Sequence, residues 1–244
     1  MERCDIVNDN LRLLQDTEGL TFGTDALLLA GYVGGKGRRG CELGAGSGII
    51  SLLLLSRGKL SEAVALEIQP HYAELTKRNA EENGLAERLT AVCCDIRDYK
   101  SEREFELVYS NPPYMKVIPG KENASEKKNI ARHEVMGGIE DFCSCAARVV
   151  KFGGDFACVY RPDRLCDLLC AMRGAGLEPK RMTMVHADTD SEPSMVLVEA
   201  KRGGKSGMTV TSPLIIYSDS AHREYTADMK YIMENGSFPD GYRR

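Results

Sequence analysis

The stretch that decides the fold is RRGCELGAGSG, residues 38–48. Its first six residues are predicted to form a strand, and they lead directly into a turn that contains Gly44, Gly46 and Gly48. Residues 47–57 are then apolar on nearly every side, which is the pattern of a buried helix. Since glycine allows tight turns and lets a ligand lie against bare backbone, the segment predicts a strand, a ligand-binding turn and a helix.

The spacing of these glycines indicates what the turn binds. A dinucleotide-binding turn has its third glycine one position later and holds a pyrophosphate at the helix N-terminus. Here Glu42 ends the strand, where a carboxylate would repel a pyrophosphate but attract a cationic amino acid. S-adenosylmethionine carries an ammonium group and a sulfonium, so it is the cofactor that this pattern favours.

Strands and helices alternate through the rest of the chain. The predicted strands cover residues 38–43, 63–67, 89–95, 105–110, 155–160, 180–187 and 194–201. The predicted helices cover residues 24–32, 47–57, 70–83, 139–151, 162–173 and 225–234. This order predicts an α/β, Rossmann-like fold with a seven-stranded, mostly parallel sheet and an antiparallel C-terminal hairpin strand. We expect a single domain over residues 1–244, with a core over 38–202, an N-terminal extension over 1–37 and a C-terminal extension over 203–244.

Acidic residues end three successive predicted strands. Glu42 is followed by Glu67 and Asp95, each at the end of its strand. Ligands of open α/β sheets bind at these carboxyl ends, so Glu67 is predicted to accept hydrogen bonds from ribose hydroxyls and Asp95 to meet the adenine amine. The predicted cofactor contacts are completed by residues beside these groups: Ala45, Ile68, Ile96 and Asn111.

The fourth strand of the core runs directly into Asn111, Pro112, Pro113 and Tyr114. The carboxamide oxygen of Asn111 and the backbone carbonyl of Pro112 can both accept hydrogen bonds from one aromatic amine. Two such acceptors stabilise the positive charge that develops when the amine attacks a methyl group. Tyr114 offers a ring on which a planar base can stack. The four residues are therefore predicted to be catalytic; the alternative is a rigid turn, because two prolines end a strand.

Charge is unevenly distributed along a chain whose formal net charge is −4. Basic residues gather in two predicted loops: Lys116, Lys127, Lys128 and Arg132 in the first, and Lys201, Arg202 and Lys205 in the second. Local basic patches on a mildly acidic protein suit an enzyme that grips RNA transiently, and these residues are predicted to contact it. The alternative is that they are solvated loop residues.

Composition limits the other options. The 244 residues, 43% of them hydrophobic, can bury one sizeable core. No apolar run approaches the roughly 18 residues of a membrane span, and the N-terminus lacks a signal-peptide pattern, so we expect a cytoplasmic protein with no membrane contact. The scattered cysteines and histidines assemble no zinc motif, so no metal site is predicted.

Together these motifs resemble a known family. The glycine turn, Glu67, Asp95 and the Asn-Pro-Pro-Tyr motif are similar to class I methyltransferases that modify amino groups. The chain more closely resembles the bacterial tRNA adenine-N6 methyltransferases that act beside the anticodon of a valine tRNA. That resemblance is carried by FGTDALLL at residues 22–29, ARHE at 131–134 and PLIIY at 213–217. It implies an S-adenosylmethionine-dependent enzyme that methylates an adenine in tRNA. It also implies that Thr24 and Asp25 help to close the cofactor pocket, although both could instead cap a helix.

Three other functions compete with this one. A glutamine-N5 methyltransferase acting on a release factor would use the same motif, because glutamine also presents a planar amide. Such enzymes carry a substantial helical domain before the first strand, whereas only about forty residues precede Glu42 here. A DNA adenine methyltransferase would usually add a target-recognition domain. A binding module without activity would not need the intact glycines and Asn-Pro-Pro-Tyr.

Overall fold

The computed structural model describes residues 2–8, 11–16, 23–112 and 137–242. Within these ranges the strands are β1 (Glu2–Asn8), β2 (Leu11–Asp16), β3 (Arg38–Leu43), β4 (Leu60–Glu67), β5 (Leu89–Cys93), β6 (Phe105–Ser110), β7 (Val150–Tyr160), β8 (Leu177–His186), β9 (Pro193–Arg202), β10 (Thr209–Val210) and β11 (Leu214–Ile215). The helices are α1 (Thr24–Tyr32), α2 (Ile49–Ser56), α3 (Pro70–Glu82), α4 (Ile139–Val149), α5 (Leu165–Gly174) and α6 (Ala227–Asn235). Six predicted site residues lie outside the described residues: Pro113, Tyr114, Lys116, Lys127, Lys128 and Arg132.

The main sheet has the predicted mostly parallel architecture. Its strand order is β5-β4-β3-β6-β7-β9-β8, and all pairs are parallel except those that involve β9. The fold class predicted from the sequence is therefore confirmed. The strand count differs, because two short strands of the C-terminal extension, β10 and β11, pair with the outer edge of β8 and bring the described sheet to nine strands.

Helices cover both faces of this sheet. Residues of β6 show the alternation, since Leu107 and Tyr109 belong to one buried cluster and Val108 to the other. The first cluster joins the sheet to α1, α2, α3 and α6, and the second joins it to α4 and α5. No helix in the described ranges is long and apolar enough to cross a membrane. In those same ranges, no group of three or more His, Cys, Asp or Glu side chains could hold a metal ion.

An N-terminal hairpin, which the sequence analysis does not predict, packs against α3. Along β2, the side chains of Asn79 on α3 and of Asn83, which caps the end of that helix, take the place of a partner strand. The Leu14 N–H donates to Asn79 Oδ1 (2.7 Å), and Asn79 Nδ2 donates to the Leu14 carbonyl (3.1 Å). Asn83 repeats the pattern with Arg12, at 2.9 Å and 2.7 Å. Because Asn79 Nδ2 also donates to the Ser47 carbonyl (2.9 Å), the hairpin is tied to the glycine turn.

Candidate active site

The glycine turn after β3 has an open inner side. Gly44, Gly46 and Gly48 have φ of +71°, +57° and +78°, which a residue with a Cβ adopts only with strain. A Cβ on Gly48 would lie 2.6 Å from Cγ2 of Thr76, whereas a Cβ on Gly46 would meet no atom within 4 Å. The backbone of Gly46 therefore faces space that a ligand can fill, which is the cradle that the predicted cofactor requires.

Glu67, at the end of β4, holds this turn in place. Its Oε2 accepts the Gly46 N–H (2.9 Å), and its Oε1 accepts the Gln69 N–H (2.9 Å). The residue is only 3% exposed. Each carboxylate oxygen has a second lone pair, so the carboxylate can still accept hydrogen bonds from the predicted ribose hydroxyls. The structure thus adds a role in shaping the turn to the predicted role in binding.

Asp95 does not end a strand as predicted, since β5 ends at Cys93 and Asp95 lies two residues beyond it, closer to solvent. The side chain of Asp95 is 22% exposed and forms an ion pair with Arg97. Hydrogen bonds from the Arg97 side chain are the main cause that lowers the pKa of Asp95, so this carboxylate is ionised at neutral pH. Ile68 is half-buried, and Ile96 is buried against the core beneath α4. The structure therefore places Glu67, Asp95 and their two apolar neighbours along one edge of the sheet.

Glu42 lies under the turn in a buried hydrogen-bonded chain. The Ser51 N–H and hydroxyl both donate to its Oε2, and Ser51 Oγ lies 2.6 Å from the hydroxyl of Tyr109. Burial raises the pKa of Glu42 to about 8, so the neutral acid predominates at pH 7. Its predicted attraction for a cationic cofactor stays a prediction, and what the structure shows is a packing role. The sequence analysis does not identify Ser51 or Tyr109 as part of this network, although a hydroxyl two residues before Asn111 is a signal.

Asn111 follows β6 at the same edge and is oriented by α1. Its Nδ2 donates to Asp25 Oδ2 (2.8 Å), while Asp25 Oδ1 accepts the Ala26 N–H (2.9 Å). The amide nitrogen of Asn111 is therefore the atom that faces Asp25, and Oδ1 is turned elsewhere. Pro112 is buried beside it. The structure thus brings Asp25 to the proposed catalytic residue, whereas Thr24 is exposed at the start of the helix.

A buried lysine fixes the far end of α1. Lys59 Nζ donates to the carbonyls of Ala30, Gly31 and Val33 at 2.7, 3.1 and 2.7 Å. These carbonyls lie at the helix C-terminus, where an ammonium group interacts favourably with the helix dipole. Since Asp25 lies in the first turn of the same short helix, Lys59 helps to set its position against Asn111.

The second basic cluster is not brought to this site. Because β9 is antiparallel, its last residues, Lys201 and Arg202, lie at the amino edge of the sheet, opposite to Asn111. Lys201 pairs with Asp155 (2.8 Å), and Arg202 NH1 donates to the Val150 carbonyl. Lys205 is exposed just beyond that edge. RNA contact by this cluster stays a prediction, and it requires an RNA that reaches both edges of the sheet.

Comparisons with known proteins agree with this geometry. The sequence model of the family described as "Methyltransferase small domain" matches residues 17–161. A tRNA1(Val) (adenine(37)-N6)-methyltransferase of a Flavobacteriaceae bacterium is 27% identical over 186 residues, which are 70% of this chain and 78% of that protein. The enzyme of the same name from Phocaeicola vulgatus is 29% identical over 190 residues, covering 76% and 79% of the two chains.

A solved structure supports the fold. A predicted O-methyltransferase from Agrobacterium tumefaciens superposes with a TM-score of 0.71 and 21% identity, over 88% of this chain and 98% of that one. This likeness shows the arrangement of strands and helices alone. The matched family segment covers more than half of the 244 residues and includes the glycine turn, Glu67, Asp95 and Asn111. The chain therefore belongs to the methyltransferase small domain family and is an S-adenosylmethionine-dependent methyltransferase.

Proposed function

We propose that this enzyme methylates the exocyclic N6 of an adenine in RNA, and that the target is an anticodon-loop adenine of a tRNA. The observation that carries the proposal is the bond between Asn111 Nδ2 and Asp25, which orients the Asn111 amide with its NH2 group toward α1 and its Oδ1 on the other side. An amine-methylating site needs such an acceptor, since its hydrogen bond strengthens as the target nitrogen becomes positive.

The cofactor fits the residues that line the turn. We propose that S-adenosylmethionine is held by the backbone of Gly44, Ala45, Gly46 and Gly48, by the side chains of Glu67, Ile68, Asp95 and Ile96, and by groups near Asn111 and Thr24. When bound there, it supplies an electrophilic methyl group. The protein's own contribution is to orient the target amine, to accept its hydrogen bonds and to exclude water from the buried surroundings of Pro112.

Two acceptors explain why no strong base is required. The Asn111 amide oxygen and the Pro112 carbonyl can each accept one N–H of the target amine, which favours a nitrogen with an available lone pair. The methylated product loses its extra proton readily to water. Tyr114 would stack on the base, and an unpaired loop base costs less free energy to extrude than a paired one. This favours a loop adenine as the target.

The choice of RNA over protein is supported by the relatives, whose names specify an adenine of a tRNA. A tRNA substrate would place the enzyme in the cytoplasm, without need of a membrane or a metal. The same pair of acceptors would also suit a glutamine amide in a release factor, which is the alternative substrate.

The deciding experiment uses labelled S-adenosylmethionine with two substrates, an unmodified tRNA pool and a release factor. We expect labelled N6-methyladenosine in the digested RNA and no label in the protein. Asn111→Ala should lower single-turnover methylation by about a hundredfold. Its matched control, Ser110→Ala, alters the preceding buried residue, whose hydroxyl donates to the Leu43 carbonyl and not to the site. Label in glutamine instead of adenine would refute the proposal.

A further inference from the structure

Three aromatic rings form a stack in the C-terminal extension. Tyr217 lies against His222, with ring centroids 4.6 Å apart and 14° between the planes. Tyr217 also stacks with Tyr225, at 5.2 Å and 21°. The outer two rings reach solvent, since Tyr225 is 38% exposed and the His222 side chain 45%. Nothing in the methyl-transfer site described above uses these rings.

The stack lies at the same edge of the sheet as Asn111. Strands β6, β8 and β11 run in the same direction, and Tyr217 follows β11 directly, its N–H donating to the Ala187 carbonyl (2.8 Å). Four strand spacings of ~4.8 Å separate β6 from β11, and the strand registers put Tyr217 about five residues, at ~3.3 Å each, further along the strand direction than Asn111. The stack therefore lies roughly 25 Å from Asn111. A nucleic acid whose target base enters the site can cross this distance with a few nucleotides.

His222 is held in an unfavourable backbone conformation. Its φ is +54°, and no other non-glycine residue in the described ranges has a positive φ. Such strain persists only where neighbouring contacts enforce it, and it is often found at functional sites. Here the enforcing contacts are Asp188 Oδ2, which lies 2.7 Å from His222 Nε2, and the Asp219 carbonyl, which accepts the His222 N–H (3.1 Å). The ring is therefore fixed rather than free to rotate.

The charges around the stack favour ring contacts over phosphate contacts. Arg223 is exposed and forms no ion pair with any residue that the structure describes. The same loop also carries Glu224 and Asp219, and the Asp219 carboxylate is used by backbone N–H groups of the loop. With acidic groups this close, attraction for a polyanion is weak, and a ligand that binds through a planar face is favoured. Unpaired nucleobases have such a face, and they stack on aromatic side chains.

We propose that Tyr217, His222 and Tyr225 form an aromatic platform on which an unpaired base of the RNA substrate stacks while a different base, the target adenine, is at Asn111. The platform rests on the proposed function, because its ligand is part of the same RNA. It acts on RNA binding and on the placement of the loop, and it takes no part in the chemical step.

The first test measures single-turnover methylation against RNA concentration, with saturating S-adenosylmethionine and an unmodified tRNA. Tyr225→Ala and His222→Asn should each raise the half-saturating RNA concentration by about tenfold, as expected for the loss of one stacked base. Asparagine is chosen at 222 because it tolerates a positive φ, so the backbone conformation is kept while the ring and its bond to Asp188 are lost. The rate at saturating RNA should stay within about twofold, and Tyr225→Phe should behave like the wild type. The control is Phe152→Ala, which removes a 77% exposed ring at the opposite edge.

The second test does not depend on activity. The chain contains no tryptophan, so Tyr225→Trp introduces a single tryptophan, whose fluorescence can be excited apart from that of the tyrosines, while keeping a ring on the platform. Adding an anticodon stem-loop RNA should quench its fluorescence, whereas Phe152→Trp should show no change at the same RNA concentrations. Quenching of both variants, or of neither, would overturn the platform.

The outcomes separate the two proposals. If the wild type forms N6-methyladenosine and the platform variants need no more RNA than the control, the platform is wrong and the proposed function stands. If the wild type methylates no RNA at all, both proposals fail. A loss of saturating rate without a change in RNA dependence would also overturn the platform, since it would place the rings in the chemical step.

Discussion

The contact between Asp25 and Asn111 allows a specific prediction about two variants of Asp25. The conservative variant, Asp25→Asn, should lower the methylation rate more than Asp25→Ala does. In the wild type, the two Asp25 oxygens serve two donors, Asn111 Nδ2 at 2.8 Å and the Ala26 N–H at 2.9 Å. Asp25→Asn replaces one oxygen by an NH2 group. The Ala26 N–H keeps the remaining oxygen, so the new NH2 faces Asn111 and favours a flipped amide. A flipped Asn111 offers its own NH2 to the target amine, and the acceptor is lost.

The expected magnitudes follow from that geometry. Loss of one preorganised hydrogen-bonding group at a transition state costs about a hundredfold in rate, or about 2.7 kcal/mol, so Asp25→Asn should approach Asn111→Ala. Asp25→Ala removes the orienting bond but imposes no wrong orientation. The Asn111 amide then samples both orientations, the productive one and the flipped one, and the rate should fall only about tenfold. The larger, isosteric side chain is thus expected to be the more harmful one.

The assay is single-turnover methyl transfer to tRNA with saturating RNA and cofactor. Lys36→Ala is the control, because it alters an exposed residue just beyond the other end of α1, away from the site. Its rate should equal that of the wild type. A wild-type rate for Asp25→Asn, or a greater loss for Asp25→Ala than for Asp25→Asn, would refute the reasoning and make Asp25 a structural residue of α1.

Three further predictions concern the residues around the glycine turn. Asn79→Ala should lower the free energy of unfolding by about 2–3 kcal/mol in urea titrations, because Asn79 is buried and its loss leaves backbone groups without partners. Asn83→Ala removes the matching bonds to Arg12, which are exposed to solvent, and should cost about 1 kcal/mol or less; equal losses would contradict this. The pKa of Glu42 is raised by burial from 4.5 to about 8, so the stability given by its retained proton is complete below about pH 4.5 and lost as pH rises to about 8. Glu42→Gln should flatten that fall in Tm, and an unchanged pH profile would show that Glu42 is ionised in the folded protein. Glu67→Gln should weaken S-adenosylmethionine binding by about tenfold in calorimetry, because its NH2 group replaces one of the two oxygens and would face the N–H of Gly46 or of Gln69, donor against donor. Undiminished affinity would remove Glu67 from the site.

The core of the fold could be predicted because its signals are local. The glycine turn fixes where β3 ends and α2 begins, and Pro70 at the first turn of α3 marks that helix start within the chain. The N-terminal hairpin gives no such signal. Its β2 strand is satisfied by Asn79 and Asn83, which are more than sixty residues away, and a side chain acting as a strand partner cannot be recognised from the strand itself.

In the candidate site, too, the residues with a local sequence signal could be predicted, and a contact between distant segments could not. Glu67, Asp95 and Asn111 could be placed together because each lies at or just beyond the carboxyl end of a parallel strand, and such ends share one edge of the sheet. The partner of Asn111 could not be found in this way, since Asp25 comes from a helix that precedes the sheet. The position of Lys201 could have been anticipated, because the end of an antiparallel strand lies at the amino edge. The local clustering of basic residues is what predicts RNA contact by Lys201, and that contact stays a prediction.

The two short strands β10 and β11 protect the outer edge of the main sheet from association with other chains. Strand β8 is ten residues long, and at the margin of a sheet its unpaired N–H and C=O groups would template association with other chains. Thr209 and Val210 cover it at Arg181 and Met182, and Leu214 and Ile215 cover it at Val185 and His186. The intervening Pro213 has no N–H to offer a further strand. A truncation after β9 would therefore leave β8 as an unpaired edge strand. We expect such a shortened chain to aggregate on expression, even though the methyl-transfer residues remain.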